Sequence, residues 1–126
     1  MLDPDVIRLA REANIAVVTT VMPDGSLQSA PVWVDADDDH VLVNTELDRQ
    51  RTRNVLRDPR ITALIMAGDG YHLAEVRGKV VDVVRGPEAR EHIDTLSRKY
   101  TGEPHQQPIG SERVILKIAP DRQRVV

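Results

Sequence analysis

A cluster of arginines marks the segment of this chain best suited to chemistry. Five of the twelve residues from Arg49 to Arg60 are arginine, in a chain whose formal net charge is -3. Arg49, Arg51 and Arg53 fall where a short helix is predicted to begin, and the positive end of a helix dipole repels cations. Free backbone N–H groups and guanidinium groups at a helix start bind phosphate well. The segment therefore predicts a site for a phosphorylated cofactor, with a solvated basic helix as the alternative.

Length and composition restrict the class of protein. A chain of 126 residues predicts one domain, 1–126, and its many valines favour strands. The sequence contains no cysteine, which excludes disulfide and thiolate chemistry and fits a reducing compartment. We find neither a signal peptide nor an apolar run of membrane-spanning length, so we expect a cytoplasmic protein that does not bind a membrane. The negative net charge argues against nucleic-acid binding.

The order of predicted elements indicates a mainly β fold with peripheral helices, of the α+β class. Tight turns between successive strands exclude a parallel doubly wound sheet. A six-stranded antiparallel barrel accommodates the order helix, three strands, arginine-rich helix, two or three strands, helix, strand. The predicted strands are 15–21, 27–34, 40–45, 61–67, 71–84 and 113–118, and a loop is predicted over 103–110.

Neither a metal site nor a catalytic side chain is predicted. The four aspartates in 35–39 have no glycine at the sharp-turn position and no downstream glutamate at calcium-loop spacing, so they indicate a solvated turn. The four histidines are scattered along the chain and form no ligand pair. The serines occur without a histidine and an acid in a recognised arrangement. In an enzyme of this kind a bound cofactor carries the chemistry.

Three residues interrupt the strand patterns. Pro31 removes a ladder hydrogen bond from the second strand, which predicts an edge strand, a bulge or a site where a ligand takes up neighbouring backbone groups. Gly78 predicts a bend within 71–84. Trp33 is an isolated large aromatic residue, which is typical either of a core anchor or of a wall against a ring or substrate.

Six blocks of sequence carry a family resemblance. They are 14–20, 23–34, 43–45, 49–60, 71–80 and 93–102, and together they cover nearly the whole chain. Their order and spacing resemble the pyridoxamine 5'-phosphate oxidase-like split β-barrel superfamily. Within it, they look most similar to the branch that uses the deazaflavin coenzyme F420. The resemblance implies a six-stranded antiparallel split β-barrel and a homodimer with two cofactor sites at the subunit interface.

The resemblance also implies which residues would contact the cofactor. The arginine-rich helix would take its phosphate, the second and third strands would line its ring, and the second subunit would close the site. The implied contacts are Arg49, Arg51, Arg53 and Asn54 for the phosphate, Pro31, Val32, Trp33, Asn44 and Thr45 for the ring, and Tyr71 and His72 from the second subunit.

Several functions remain open on these grounds. The first is a reductase that transfers a hydride from reduced F420 to an unsaturated small-molecule substrate. The second is an FMN-binding flavoprotein of the same fold, and the third is a non-catalytic protein that binds or carries F420. An oligonucleotide-binding barrel is disfavoured because the chain has few aromatic residues on which bases could stack. The resemblance favours the reductase.

Overall fold

The computed structural model describes residues 1–106, 108 and 110–126. The loop predicted over 103–110 includes Gln107 and Ile109, which lie outside the described residues. The described residues form three helices and seven strands. In chain order they are α1 (Pro4–Arg11), β1 (Ile15–Val21), β2 (Leu27–Trp33), β3 (Asp35–Ala36), β4 (Val41–Glu46), α2 (Gln50–Arg57), β5 (Arg60–Met66), β6 (Leu73–Val84), α3 (Pro87–Thr101) and β7 (Arg113–Val125).

The strands of the described chain form one antiparallel sheet in the order β2-β1-β5-β6-β7-β4-β3. The long pairing of β6 with β7 contains two register shifts, one between Arg77 and Gly78 and one between Val80 and Asp82. Such irregularities bend a sheet and increase its twist. The sheet curls far enough to bring β2 against β4. The result is a mainly β split barrel with three surrounding helices among the described residues, which confirms the predicted fold class.

The strand number in that prediction is wrong by one. The additional strand is β3, formed by two residues that the sequence predicts to lie in a turn. It pairs with the start of β4, so the chain reverses over a shorter segment than expected. The Asp37 carboxylate closes this tight turn by accepting hydrogen bonds from the backbone N–H groups of Asp39, at 2.8 Å, and His40, at 2.6 Å.

The helices begin and end at residues that explain their limits. Asp3 caps α1 by accepting a hydrogen bond from the Asp5 backbone N–H at 2.8 Å, and Pro4 follows at the first helical position. The α3 helix ends at Gly102, whose φ of 84° lies in the left-handed region that glycine adopts without strain. None of the helices in the described part of the chain is long and apolar enough to cross a lipid bilayer.

The barrel interior is aliphatic. Side chains from all seven described strands meet in it, and Val18, Val43, Val76 and Leu116 are essentially inaccessible to solvent. The α1 helix contributes its buried face to the same core. The α3 helix packs its own apolar face against β7 and β4. A cleft is left between α3 and the β2 edge, and this is where the candidate site lies.

Gly78 provides a test of the irregular pairing of β6 with β7, which bends the sheet. A Cβ atom at this position would lie 1.9 Å from the Ala119 carbonyl oxygen on β7. We expect Gly78→Ala to lower the free energy of unfolding by about 1–3 kcal/mol or more, because the backbone must move to relieve the contact. The matched control is Gly68→Ala, since a Cβ there meets nothing within 4 Å. Chemical denaturation of both variants measures the difference, and equal stabilities would contradict this account.

Candidate cofactor site

One cleft of about 360 Å³ collects residues from six elements and the loop before β7. Its volume lies at the lower end of the range for ligand pockets. Five of the residues predicted for the cofactor site line it together, although they come from β2, β4 and α2. The complete lining is Ile15, Pro31, Val32, Trp33, Asn44, Arg51, Ile93, His105 and Arg113.

The β2 wall of the cleft is rigid and aromatic. β2 is an edge strand of the described sheet, which is the first of the three alternatives that Pro31 predicts. The Trp33 ring stacks on the Tyr100 ring of α3, with centroids 5.1 Å apart and planes within 5°. The Tyr100 hydroxyl oxygen accepts a hydrogen bond from the Val34 backbone N–H at 3.1 Å, and the hydroxyl donates to the Asn14 carbonyl oxygen. Trp33 therefore both packs against the protein and presents a fixed surface to the cleft.

Two half-buried guanidinium groups supply positive charge to the cleft. Arg51 Nε donates to Thr45 Oγ1 at 3.1 Å, so the predicted residue Thr45 orients this arginine. Burial, followed by repulsion from Arg49, lowers the pKa of Arg51 below its ordinary value. Burial is also the largest cause that lowers the pKa of Arg113, and repulsion from the other two arginines adds to it. Both groups hold a proton in surroundings that disfavour the charge, and a bound anion would relieve this cost.

A single carboxylate is shared among these arginines. Glu46 Oε1 lies 3.6 Å from Arg113 Nη1 and 3.8 Å from Arg49 Nη2. Glu46 Oε2 accepts a hydrogen bond from the Ser111 backbone N–H at 2.7 Å. Burial raises the pKa of Glu46, but that hydrogen bond and the nearby arginines lower it overall, which keeps the group ionised. With Arg51 included, three positive charges face one negative charge, so the cleft retains a positive excess.

The start of α2 adds backbone donors to this end of the cleft. Arg49 occupies the N-cap position, and in the described structure no side chain caps the helix. The first turn also contains no acidic residue. Uncapped N–H groups and the positive helix end favour an anion. Arg51 projects from this same turn into the cleft.

Three of the four predicted phosphate contacts lie away from the cleft lining, and the first of them, Arg49, has a side chain that is 61% exposed. Arg53 is exposed, and its Nη2 donates to Gln50 Oε1 at 2.7 Å. Asn54 is fully buried, and its Nδ2 donates to Thr20 Oγ1 on β1 at 3.0 Å. Asn54 Oδ1 accepts from Gln50 Nε2 at 2.8 Å. The Asn54 side chain thus fixes α2 to the barrel, and it would act on a ligand through the placement of the helix.

Tyr71 and His72 lie on the turn between β5 and β6, outside the cleft of their own chain. Tyr71 is 81% exposed. His72 Nδ1 lies 2.5 Å from Asp69 Oδ2, and the Asp69 carboxylate also accepts hydrogen bonds from the backbone N–H groups of both residues. Their contact with a cofactor bound to a second subunit stays a prediction.

Comparison with known proteins gives this geometry a family context. The sequence matches the pyridoxamine 5'-phosphate oxidase family over residues 2–126. The chain belongs to that family. An F420 reductase of known structure is 27% identical, with a TM-score of 0.81 over 93% of this chain and 94% of the other. This neighbour supports the resemblance to the F420 branch.

Other proteins of known structure share the fold at lower identity. A conserved hypothetical protein from Mycobacterium tuberculosis is 23% identical, with a TM-score of 0.78 over 99% of this chain and 84% of that chain. HupZ from Group A Streptococcus is 15% identical, with a TM-score of 0.71 over 100% of this chain and 94% of that chain. The family match and the F420 reductase neighbour together support the assignment of this chain as an oxidoreductase of this fold with a flavin-type cofactor.

The sequence alone did not indicate four of the residues that line the cleft, which are Ile15, Ile93, His105 and Arg113. Arg113 is the most important, because it carries charge. An arginine at the start of the apolar run 113–118 breaks the strand pattern, and that irregularity is the signal available in the sequence. His105 lies in a polar loop, and Ile93 is indistinguishable from the other apolar residues of α3.

The excess positive charge of the cleft predicts an anion effect that requires no cofactor. We expect inorganic phosphate to raise the melting temperature of the protein, because it binds the folded state. Arg51→Met should lose most of this rise, with phosphate affinity lowered by about ten- to hundredfold, while the stability without phosphate changes by less than about 1 kcal/mol. Arg122→Met on the exposed outer part of β7 is the control. Equal phosphate effects in the two variants would contradict an anion site at Arg51.

Proposed function

We propose that this protein is a reductase that transfers a hydride from reduced coenzyme F420 to an unsaturated small-molecule substrate. The observation that carries the proposal is a positively charged cleft bounded by the stacked Trp33 ring and the uncapped start of α2. This combination suits a ligand with both a phosphate and a flat ring. The F420 reductase neighbour, at 27% identity over nearly the full length of both chains, favours F420 over FMN.

The residues present fit the phosphate of such a cofactor. Arg51 and Arg113 carry guanidinium groups whose burial disfavours the charge, and the first turn of α2 offers backbone N–H groups beside them. Charge-assisted hydrogen bonds to phosphate are among the stronger polar contacts in proteins. The exposed arginines Arg49 and Arg53 at the same helix end would attract the anion at longer range.

The β2 edge fits the ring. Pro31, Val32 and Trp33 form one wall, and Asn44 lies on the β4 side. Tyr100 fixes the tryptophan ring from behind, so the wall is formed before a ligand arrives. When bound, the reduced deazaflavin supplies a hydride, and a proton from solvent completes the reduction of the substrate double bond. The protein would bind and orient the reactants.

Equilibrium binding to purified protein tests the choice of cofactor. We expect F420 to bind more tightly than FMN, and we expect Arg51→Met to weaken F420 binding by about ten- to hundredfold through loss of a charge-assisted hydrogen bond. Arg122→Met should bind as the parent does. A yellow protein that retains FMN and has no measurable affinity for F420 would favour the flavoprotein. Tight F420 binding without hydride transfer to any of a panel of activated alkenes would favour the carrier protein.

We further propose that the protein is a homodimer with its cofactor sites at the subunit interface. Beside the cleft, an apolar groove of about 320 Å³ runs along the outer faces of β1 and β5. In the single chain, Ile15, Val17 and Met66 line this groove and are 45%, 37% and 42% exposed. Ile15 also lines the cleft, so a second subunit that covered the groove would reach the site. Tyr71 and His72 of the second subunit are the predicted contacts.

Substitution in the groove tests the proposed dimer. We expect sedimentation of the parent at micromolar concentrations to give twice the chain mass, and Val17→Lys to give the mass of one chain, because a buried unpaired charge is strongly unfavourable. Val81→Lys replaces an exposed valine of β6 outside the groove and should remain dimeric. A parent protein that sediments as a single chain would contradict the dimer, and an unaffected Val17→Lys variant would place the interface elsewhere.

A further inference from the structure

A chain of hydrogen bonds leads from β3 to the cleft, and its first two members, Asp35 and His92, have no part in the reaction proposed above. His92 Nε2 lies 3.1 Å from Asp35 Oδ2, and His92 Nδ1 lies 3.2 Å from Asn44 Nδ2. On the other side of the asparagine, Arg113 Nε donates to Asn44 Oδ1 at 2.9 Å. The His92 side chain is only 13% exposed and Asn44 only 6%, so these groups depend largely on one another for their hydrogen bonds.

The direction of each hydrogen bond follows from the chemistry of the partners. Asn44 Nδ2 donates to the Ala89 carbonyl oxygen at 2.8 Å, and a carbonyl oxygen can only accept. The amide nitrogen of Asn44 therefore faces α3, and its oxygen faces Arg113. Because the same nitrogen contacts His92 Nδ1, that ring atom must accept and His92 Nε2 must carry the proton. The Asp35 carboxylate, which accepts this proton's hydrogen bond, thus selects the histidine tautomer.

Asp35 is suited to this role because it stays ionised. Burial raises the pKa of Asp35, but the hydrogen bonds from His92 and from the Ala36 backbone N–H, together with the charge of Lys99, lower it overall. An ionised carboxylate has no proton to donate. It can therefore support only the tautomer in which His92 Nδ1 is free to accept from Asn44.

We propose that Asp35 and His92 act through Asn44 as positioning residues that hold the Arg113 guanidinium in place for the anionic group of a bound ligand. The Arg113 side chain is 11% exposed. Its Nε donates to Asn44 Oδ1, its Nη2 donates to the Asn44 carbonyl oxygen at 3.3 Å, and its Nη1 lies 3.6 Å from Glu46 Oε1. An arginine has five N–H donors, so these three contacts fix its plane and leave donors for an anion. The identity of that anion as a cofactor phosphate rests on the proposed function.

This positioning chain of Asp35, His92 and Asn44, called the relay below, is tested in the protein without a cofactor. NMR of arginine-labelled protein measures how fast the Arg113 Nε–H exchanges with water. We expect slow exchange in the parent and fast exchange in His92→Leu, which cannot hold Asn44. His92→Asn restores an acceptor near the Nδ1 position and should restore slow exchange. His40→Leu is the matched control, because His40 forms a similar pair with Asp37, at 3.1 Å, outside the cleft lining.

Binding of inorganic phosphate gives a second readout. We expect His92→Leu to weaken it by about three- to tenfold, the effect of one lost neutral hydrogen bond, and His92→Asn to recover most of the loss. Should His92→Leu fail to fold, Asp35→Ala replaces it and should also speed the exchange. Slow exchange in the leucine or alanine variant, or no rescue by asparagine, would overturn the relay. The expected exchange pattern in a protein that does not bind F420 would support the relay and contradict the proposed function alone.

Discussion

The side-chain amide of Asn44 is the interaction on which the candidate site depends most. It joins β4, which carries it, to α3 through the Ala89 carbonyl and to β7 through Arg113. A buried amide that lost one of these partners would leave a polar group unsatisfied at a cost of about 1–3 kcal/mol. Asn44 therefore adds a polar tie between β4, α3 and the charged wall of the cleft to the strand pairing and apolar packing that already join these elements.

The charge distribution shows what this rigidity achieves. Arg51 and Arg113 are partly buried in the cleft, and this burial lowers the pKa of each guanidinium group. Glu46 offsets only part of their positive charge and that of Arg49. A fold selected for stability alone would pair these groups or expose them. Here the unfavourable electrostatic energy is built into the folded state, and the binding of an anion would relieve it. Such preorganisation raises affinity because the ligand need not pay to order the groups that receive it.

Local patterns in the sequence predicted much of the fold. The limits of β1, the Asp3 cap of α1, the glycine at the end of α3 and the edge position of β2 depend on neighbouring residues, and all four agree with the structure. The brief strand β3 escaped prediction because an aspartate-rich segment is typical of a turn. Its two residues pair with β4, and the Asp37 carboxylate stabilises the reversal between the two strands.

The candidate site was predictable where its residues are neighbours in sequence and not where strand pairing brings them together. Arg51 could be recognised from the composition of its own helix. Arg113 meets Asn44 across 69 residues, through the register of β4 against β7, and no local pattern reports that register. His92 had the same difficulty, because its partners lie on β3 and β4 and only the packed structure brings α3 against them.

The strand β1 connects the cleft to the proposed second subunit. Its residues alternate, so that Ala16 and Val18 enter the barrel core while Ile15 and Val17 point outward, and both sets are apolar. A strand that faced water on one side would carry polar residues there. A cover over the outer face explains the second apolar set, and Ile15 lies where that cover would meet the cleft. In the proposed dimer, this cleft, which is small for a ligand pocket, would be one part of a larger site whose remaining wall the second subunit would supply.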